Sequence, residues 1–148
     1  MTDLEKVKQD GLALQDIKKQ TPGICLEAVK RNGWALQYVK NKTPEICLAA
    51  VKQDGYALKY VKKQTSEVCL TAVRQNGWAL QFVKKQTPEL CLMVVKQDGW
   101  TLQFVKNQTP EICLAAIKKE KKAIQYITDS VCLNAVRKQY PELISTLL

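Results

Sequence analysis

Cysteine is the residue type in this chain whose spacing first suggests chemistry. Five cysteines lie 22 residues apart and a sixth follows after a shorter interval: Cys25, Cys47, Cys69, Cys91, Cys113 and Cys132. Stacked helices lie about 8–10 Å apart, whereas a disulfide needs Cα atoms within roughly 7 Å. A row of single thiols cannot place four of them on one zinc ion, and the Cys-x-x-Cys spacing of zinc sites is not present. We therefore predict reduced, buried core thiols, with no metal and no cofactor.

Catalytic groups are the next candidates for chemistry, and the composition argues against them. The chain contains no histidine, which is the commonest general base and metal ligand. Its acidic residues recur near predicted helix ends and do not form pairs. Each glycine is isolated, so no glycine-rich phosphate loop is present. Because catalysis needs converging groups, we predict that the chain is not an enzyme.

Basic side chains form the second regular series. We number the repeat so that position 1 is Val7, Val29, Val51, Val73, Val95 and Ile117. The residues that we call the basic ladder are Lys30, Lys52, Arg74 and Lys96 at position 2 and Lys40, Lys62, Lys84 and Lys106 at position 12. With a net charge of +9, this series suggests contacts to a phosphate backbone. Both positions also fall in the last turn of a predicted helix, where a cation offsets the helix dipole. We favour this second interpretation and keep nucleic-acid binding as the alternative function.

One position varies while the rest of the repeat is nearly constant. Position 21, which we call the variable ridge, comprises Glu27, Ala49, Thr71, Met93, Ala115 and Asn134. We expect it on the exposed side of the first helix of each repeat. Modular base readers vary two or three positions per repeat, so one varied position carries little of a code. The ridge therefore favours a surface for a protein partner, although drift at a tolerant site explains it equally simply.

Two short helices per repeat must hold these side chains. Thr43 followed by Pro44 is an N-cap and a first-turn residue that needs no amide donor, and Glu45 suits the positive end of a helix. We predict helix A over about eleven residues, for example Pro44 to Asp54, followed by a glycine in the left-handed conformation. A shorter helix B is predicted from Trp34 to Asn41. Each helix has an apolar arc of roughly 200°, which is too wide to pack against one neighbour only.

These arcs predict an all-α fold, an α-solenoid of two-helix, 22-residue repeats with fourteen short helices. We expect one repeat domain over residues 1–148, with an N-terminal cap and first helix pair at 1–20, internal repeats at 21–116 and a capping repeat and helix at 117–148. Asp16 replaces the aromatic residue of position 10, and Lys122 replaces that of position 6. We infer that position 10 faces the preceding repeat and position 6 the following one, since each becomes polar at one end.

The unit V-K-Q-[DN]-G-x-A-L-Q-[YF]-V-K-x-Q-T-P-E-[IL]-C-L resembles a family of tandem 22-residue repeats of unknown function, found in giant DNA viruses and host-associated bacteria. The resemblance implies a helical interaction module that faces a host or a competing immune system, and it implies no activity. We expect a non-catalytic scaffold for a protein partner. No apolar run approaches the ~18 residues of a membrane helix, and the start MTDLEKVKQDG is no secretory signal, so we expect a cytoplasmic or nuclear protein without a membrane partner.

Overall fold

A computed structural model describes residues 1–143 of the chain, which divide into two compact units, 1–84 and 85 onward. In the first unit four α-helices, α1 to α4, span Asp3–Gln9, Pro22–Arg31, Pro44–Gln53 and Ser66–Gln75. They alternate with four 3-10 helices, η1 to η4, which span Gly11–Asp16, Gly33–Tyr38, Gly55–Tyr60 and Gly77–Phe82. Each pair of α-helix and 3-10 helix is one repeat.

The second unit continues the same alternation. Its α-helices, α5 to α7, span Pro88–Gln97, Pro110–Lys119 and Ser130–Gln139, and its 3-10 helices, η5 and η6, span Gly99–Phe104 and Lys121–Tyr126. A single 3-10 turn follows at Pro141–Leu143. The rest of the predicted closing helix, 144–148, lies outside the described residues. Over residues 1–143 no strand occurs, and no helix combines the length and apolar character that crossing a bilayer requires.

Within each unit the two kinds of helix form two layers. Each α-helix packs beside the next α-helix, and each 3-10 helix packs beside the next 3-10 helix. Each α-helix also contacts the 3-10 helix of its own repeat. The predicted all-α solenoid class is therefore confirmed. The core of each unit includes fully buried leucines at position 8: Leu14, Leu36, Leu58 and Leu80 in the first unit and Leu102 in the second.

The α-helices begin where the sequence predicts. The hydroxyl of Thr43 accepts a hydrogen bond from the Ile46 amide at 3.3 Å, and Pro44 occupies the first helical position. The same cap recurs at Thr21, Thr65, Thr87 and Thr109. An N-cap of this kind is worth about 1 kcal/mol relative to alanine, so each repeat fixes its own helix start.

The second helix of each repeat differs from the prediction in type and in length. We predicted Trp34 to Asn41, whereas the 3-10 helix η2 ends at Tyr38. The Asn32 carboxamide oxygen accepts from the Trp34 amide at 3.0 Å, two residues on, whereas threonine caps bond three residues on. Bonds from Ala35 to the Asn32 carbonyl and from Val39 to the Leu36 carbonyl, at 2.9 and 3.1 Å, then continue the tighter winding.

The glycines have a different role from the predicted one. No residue of 1–143 has a positive φ, so the left-handed assignment is wrong. Glycine is required instead because the repeats approach closely. A Cβ on Gly33 would lie 2.6 Å from the Ala50 carbonyl oxygen of α3 and 3.2 Å from the Asp54 Cβ. A side chain there would push the neighbouring backbone away.

Aromatic side chains join repeats on the side of the 3-10 layer. Trp34 and Tyr60 meet edge to face with ring centroids 5.9 Å apart, and Tyr56 and Phe82 do the same at 5.9 Å. Trp100 and Tyr126 form the equivalent pair in the second unit. The geometry confirms that position 6 faces the following repeat and position 10 the preceding one. The polar substitutes, Asp16 and Lys122, are both exposed.

Glutamines at position 14 bridge successive repeats through both ends of the side-chain amide. For Gln20, Gln64, Gln86 and Gln108, Nε2 donates to the carbonyl oxygens of Tyr38, Phe82, Phe104 and Tyr126 at 2.7–2.8 Å. Their Oε1 atoms accept from the amides of Lys40, Lys84, Lys106 and Thr128 at 2.9–3.0 Å. We call this arrangement the glutamine clamp. It satisfies two backbone groups of the next repeat with one side chain.

Candidate partner surface

Within each unit the variable ridge lies beside a row of leucines on the α-helix layer. Its residues Glu27, Ala49, Thr71, Met93 and Ala115 are half-buried rather than exposed, and only Asn134 of the six is exposed. The leucine that precedes each of them is also half-buried, namely Leu26, Leu48, Leu70, Leu92, Leu114 and Leu133. We predicted wide apolar arcs for both helices without separating this row from the core. Its signal was a constant leucine directly before the one varied position.

A groove of about 440 Å³ runs between α2 and α3 at this row. Leu26, Leu48 and Ala49 form its apolar part. Its polar lining comprises Lys30, Lys52, Gln53 and Glu45. The ridge residue Ala49 and the ladder residues Lys30 and Lys52 therefore meet at one site. Apolar side chains beside polar and charged ones are typical of a protein interface.

The basic ladder divides into two parts with different surroundings. Lys30, Lys52, Arg74 and Lys96 are exposed and lie in the last turns of their α-helices, as predicted. There a cation is stabilised by the negative end of the helix, by about 0.3–1 kcal/mol. The helix dipole therefore explains the basic residues at position 2 without any ligand.

The position 12 lysines need a different explanation from the predicted one. Lys40 and Lys84 lie beyond the ends of η2 and η4, so they are not in a last helical turn. The Lys40 ammonium donates to the carbonyl oxygen of Lys18 at 3.0 Å, and that of Lys84 to the carbonyl oxygen of Lys62 at 2.9 Å. These two cations fasten one repeat to the one before it.

All six cysteines are free and buried, which confirms their predicted burial. Four thiols, those of Cys25, Cys69, Cys91 and Cys113, lie 3.5–3.8 Å from the clamp glutamine's Oε1. Burial raises the pKa of every one of these thiols, and that of Cys91 to about 11. A thiol with a raised pKa stays protonated at neutral pH and is a poor nucleophile.

Cys47 has different surroundings because Lys42 stands where the other repeats have the clamp glutamine. Burial raises the Cys47 pKa, while the Lys42 ammonium opposes that rise. Cys113 and Cys132 differ in another way, since each thiol affects the pKa of the other in the shortened last repeat. After burial, which is the larger cause, the Cys132 thiol also raises the Cys113 pKa.

Comparison with known proteins gives one family. A family model described as "Domain of unknown function (DUF4116)" matches four overlapping segments, residues 21–65, 43–87, 65–109 and 87–132. No curated protein and no solved structure matches the chain. The four matches are offset by one 22-residue repeat each, and together they cover most of the sequence. The chain therefore belongs to this family of tandem helical repeats of unknown function.

Proposed function

We propose that the chain is a non-catalytic scaffold that binds a protein partner through the leucine row and the variable ridge of its α-helix layer. The observation that carries the proposal is the groove between α2 and α3, where Leu26, Leu48 and Ala49 share the lining with two basic residues and one acidic residue, Lys30, Lys52 and Glu45. Such a groove suits an apolar side chain of a partner with acidic residues beside it. The host-facing or immune-antagonist role and the cytoplasmic or nuclear location are part of the same proposal.

The ridge variation supports a partner of defined shape. In the first unit the residue that follows the leucine is Glu27, then Ala49, then Thr71. Helix caps, core leucines and clamps are accounted for by folding, but this variation is not. A partner that contacts several repeats at once would select a different side chain at each.

The test is affinity capture from the source cell with two matched variants. Ala49→Arg adds a long charged side chain inside the groove and should reduce capture of the partner by at least about tenfold. Gln15→Arg adds the same side chain at an exposed position of η1 and should leave capture within about twofold of wild type. Equal capture by wild type and Ala49→Arg would contradict the assignment of the groove.

Backbone-directed nucleic-acid binding along the basic ladder remains the alternative. It is tested by mobility shifts of duplex and single-stranded nucleic acid over a salt series. Affinity whose logarithm falls linearly with log salt would favour this alternative, because counterion release has that signature. No shift at low salt would remove it.

A further inference from the structure

The first unit contains one junction between repeats that has no glutamine clamp. Gln20 and Gln64 clamp the junctions on either side of it, and Lys42 occupies the same position between them. The Lys42 ammonium donates to the Val39 carbonyl oxygen of its own repeat at 2.8 Å instead of reaching the next one. Because of this bond, Lys42 does not bridge to the following repeat as the clamp glutamines do.

Two backbone groups of that next repeat consequently lack a partner. Within residues 1–143 no group donates to the Tyr60 carbonyl oxygen, and the Lys62 amide donates to no acceptor. At the neighbouring junction both equivalents, the Phe82 carbonyl and the Lys84 amide, are bonded to Gln64. The position that a clamp glutamine fills elsewhere, which we call the vacancy, therefore offers one hydrogen-bond acceptor, the Tyr60 carbonyl, and one donor, the Lys62 amide, on either side of Val61.

A groove of about 620 Å³ opens beside these two groups, and Val61 and Lys62 are among its lining residues. Four lysines line it, Lys40, Lys42, Lys62 and Lys63, and no acidic residue is among its lining residues. The ammonium groups of Lys40 and Lys42 are already bonded to the carbonyl oxygens of Lys18 and Val39. Val61, Val68 and Cys47 form its buried, apolar base. An occupant must therefore be anionic and must also offer apolar or neutral atoms.

The backbone at Val61 differs from its clamped equivalents. Where a clamp is present the corresponding residue has φ of −71° to −77°, at Val39, Val83, Val105 and Ile127. Where none is present φ is −94° at Val61 and −93° at Ile17. The unclamped residues are thus nearer to the φ of about −120° of a parallel strand.

We propose that this groove binds an extended acidic peptide segment of the partner. One residue of that segment donates its N–H to the Tyr60 carbonyl and accepts the Lys62 N–H at its own carbonyl, as in a parallel strand pair around Val61. Acidic side chains on either side of that residue pair with the lysines. The inference rests on the proposed function, since it names the chemistry of a protein partner.

A phosphate backbone fits the vacancy less well. A phosphodiester accepts hydrogen bonds but donates none, so it satisfies the Lys62 amide and leaves the Tyr60 carbonyl unpaired. A peptide residue carries both groups on one edge. In the clamped junctions the carboxamide of glutamine, which is also one donor beside one acceptor, fills the same two positions.

A glutamine at residue 42 would compete with the peptide for the same two backbone groups. Lys42→Gln should rebuild the clamp from within and so exclude the peptide. The probe is a fluorescein-labelled, end-capped hexapeptide of alternating glutamate and threonine, followed by fluorescence anisotropy. Lys42→Gln should weaken its binding at least about tenfold, whereas Lys8→Gln, the same charge change on the exposed face of α1, should change it less than about twofold.

A second probe separates backbone recognition from charge. The same peptide with alternate amides N-methylated keeps its carboxylates but loses donors along one edge, and it should bind at least about tenfold more weakly. In ¹⁵N spectra the Lys62 amide should shift on peptide addition, and it should shift without peptide in Lys42→Gln.

The results that would overturn the proposal are equal binding of both peptides, equal binding by wild type and Lys42→Gln, or a short oligothymidylate that binds more tightly than the peptide and displaces it. None of these concerns the α2–α3 groove. The capture experiment with Ala49→Arg therefore tests the proposed function separately.

Discussion

Two neighbouring junctions in the first unit share a core and differ in their bridge. At the Lys42 junction Trp34 packs on Tyr60, and at the Gln64 junction Tyr56 packs on Phe82, with ring centroids 5.9 Å apart in both. The leucine of the later repeat is fully buried in both cases. Only the Gln64 junction has a clamp. The comparison teaches that one loop residue removes the bridge of a junction while its buried leucine and its aromatic pair are retained. The Lys42 junction also has a bond from the Trp34 indole to the Asp54 carboxylate, at 2.7 Å, for which Tyr56 has no equivalent in the described part of the chain.

The largest effect should come from the shared core. Leu58→Ala and Leu80→Ala should each lower the free energy of unfolding by about 2–5 kcal/mol, since both remove a fully buried side chain. Denaturant unfolding followed by circular dichroism measures both. If the two losses differ by more than about 1 kcal/mol, the cores are not equivalent and the comparison does not hold.

Gln64→Lys should convert the clamped junction into a second open one. It leaves the Phe82 carbonyl and the Lys84 amide without partners, at a cost of about 1–3 kcal/mol in the free energy of unfolding. The control is Gln37→Lys, on an exposed position of η2, for which we expect less than about 0.5 kcal/mol. Equal losses for the two variants would show that the clamp contributes nothing.

Lys42→Gln tests the opposite change. Two new hydrogen bonds, to the Tyr60 carbonyl and from the Lys62 amide, should raise the free energy of unfolding by about 1–2 kcal/mol. The same denaturant experiment measures it, with Lys8→Gln as the control for lost charge. A decrease in stability would mean that the Lys42 bond to Val39 matters more than a clamp.

The smallest effect concerns the thiols of the two kinds of junction. Burial alone raises the Cys91 pKa from 9.0 to about 11, whereas the Lys42 charge opposes the rise at Cys47. A thiol with a raised folded pKa contributes stability that is complete below its unfolded pKa and is lost as pH rises through the folded value. Stability should therefore fall between about pH 9 and 11, and Cys91→Ala should reduce that fall more than Cys47→Ala does. Thermal unfolding over this pH range measures both, and a larger change for Cys47→Ala would contradict the assigned causes.

The α-helices were predictable because their signals are local. Threonine before proline, acidic first turns and lysines in the last turn act within a few residues of each other, as at Thr43, Pro44 and Glu45. The winding of the second helix was not predictable from its apolar arc. Six residues such as Gly33–Tyr38 show the same apolar pattern in either helix type, and the choice depends on the Asn32 cap and on the close approach of α3.

The candidate site was predictable only in part. The varied position was visible at Ala49, but its half-buried place beside Leu48 depends on how α2 and α3 pack. The clamp was not visible, because the two backbone groups that a clamp glutamine bonds belong to the next repeat. Gln64 bonds to Phe82 and Lys84, 18 and 20 residues away. The available signal was a single exception, a lysine at residue 42 among glutamines.

The missing clamp also has a mechanical consequence. A stack of repeats that is pulled from its ends separates first at the interface with the fewest bonds. In the first unit the Lys42 junction lacks both the glutamine clamp and the lysine-to-carbonyl bond that Lys40 and Lys84 make at the other junctions. We expect a stretched first unit to part between residues 42 and 62 before it parts at Gln64. A peptide bound at the Lys42 junction would add hydrogen bonds to it, so the fraction of chains with bound peptide would set the force at which the first unit separates.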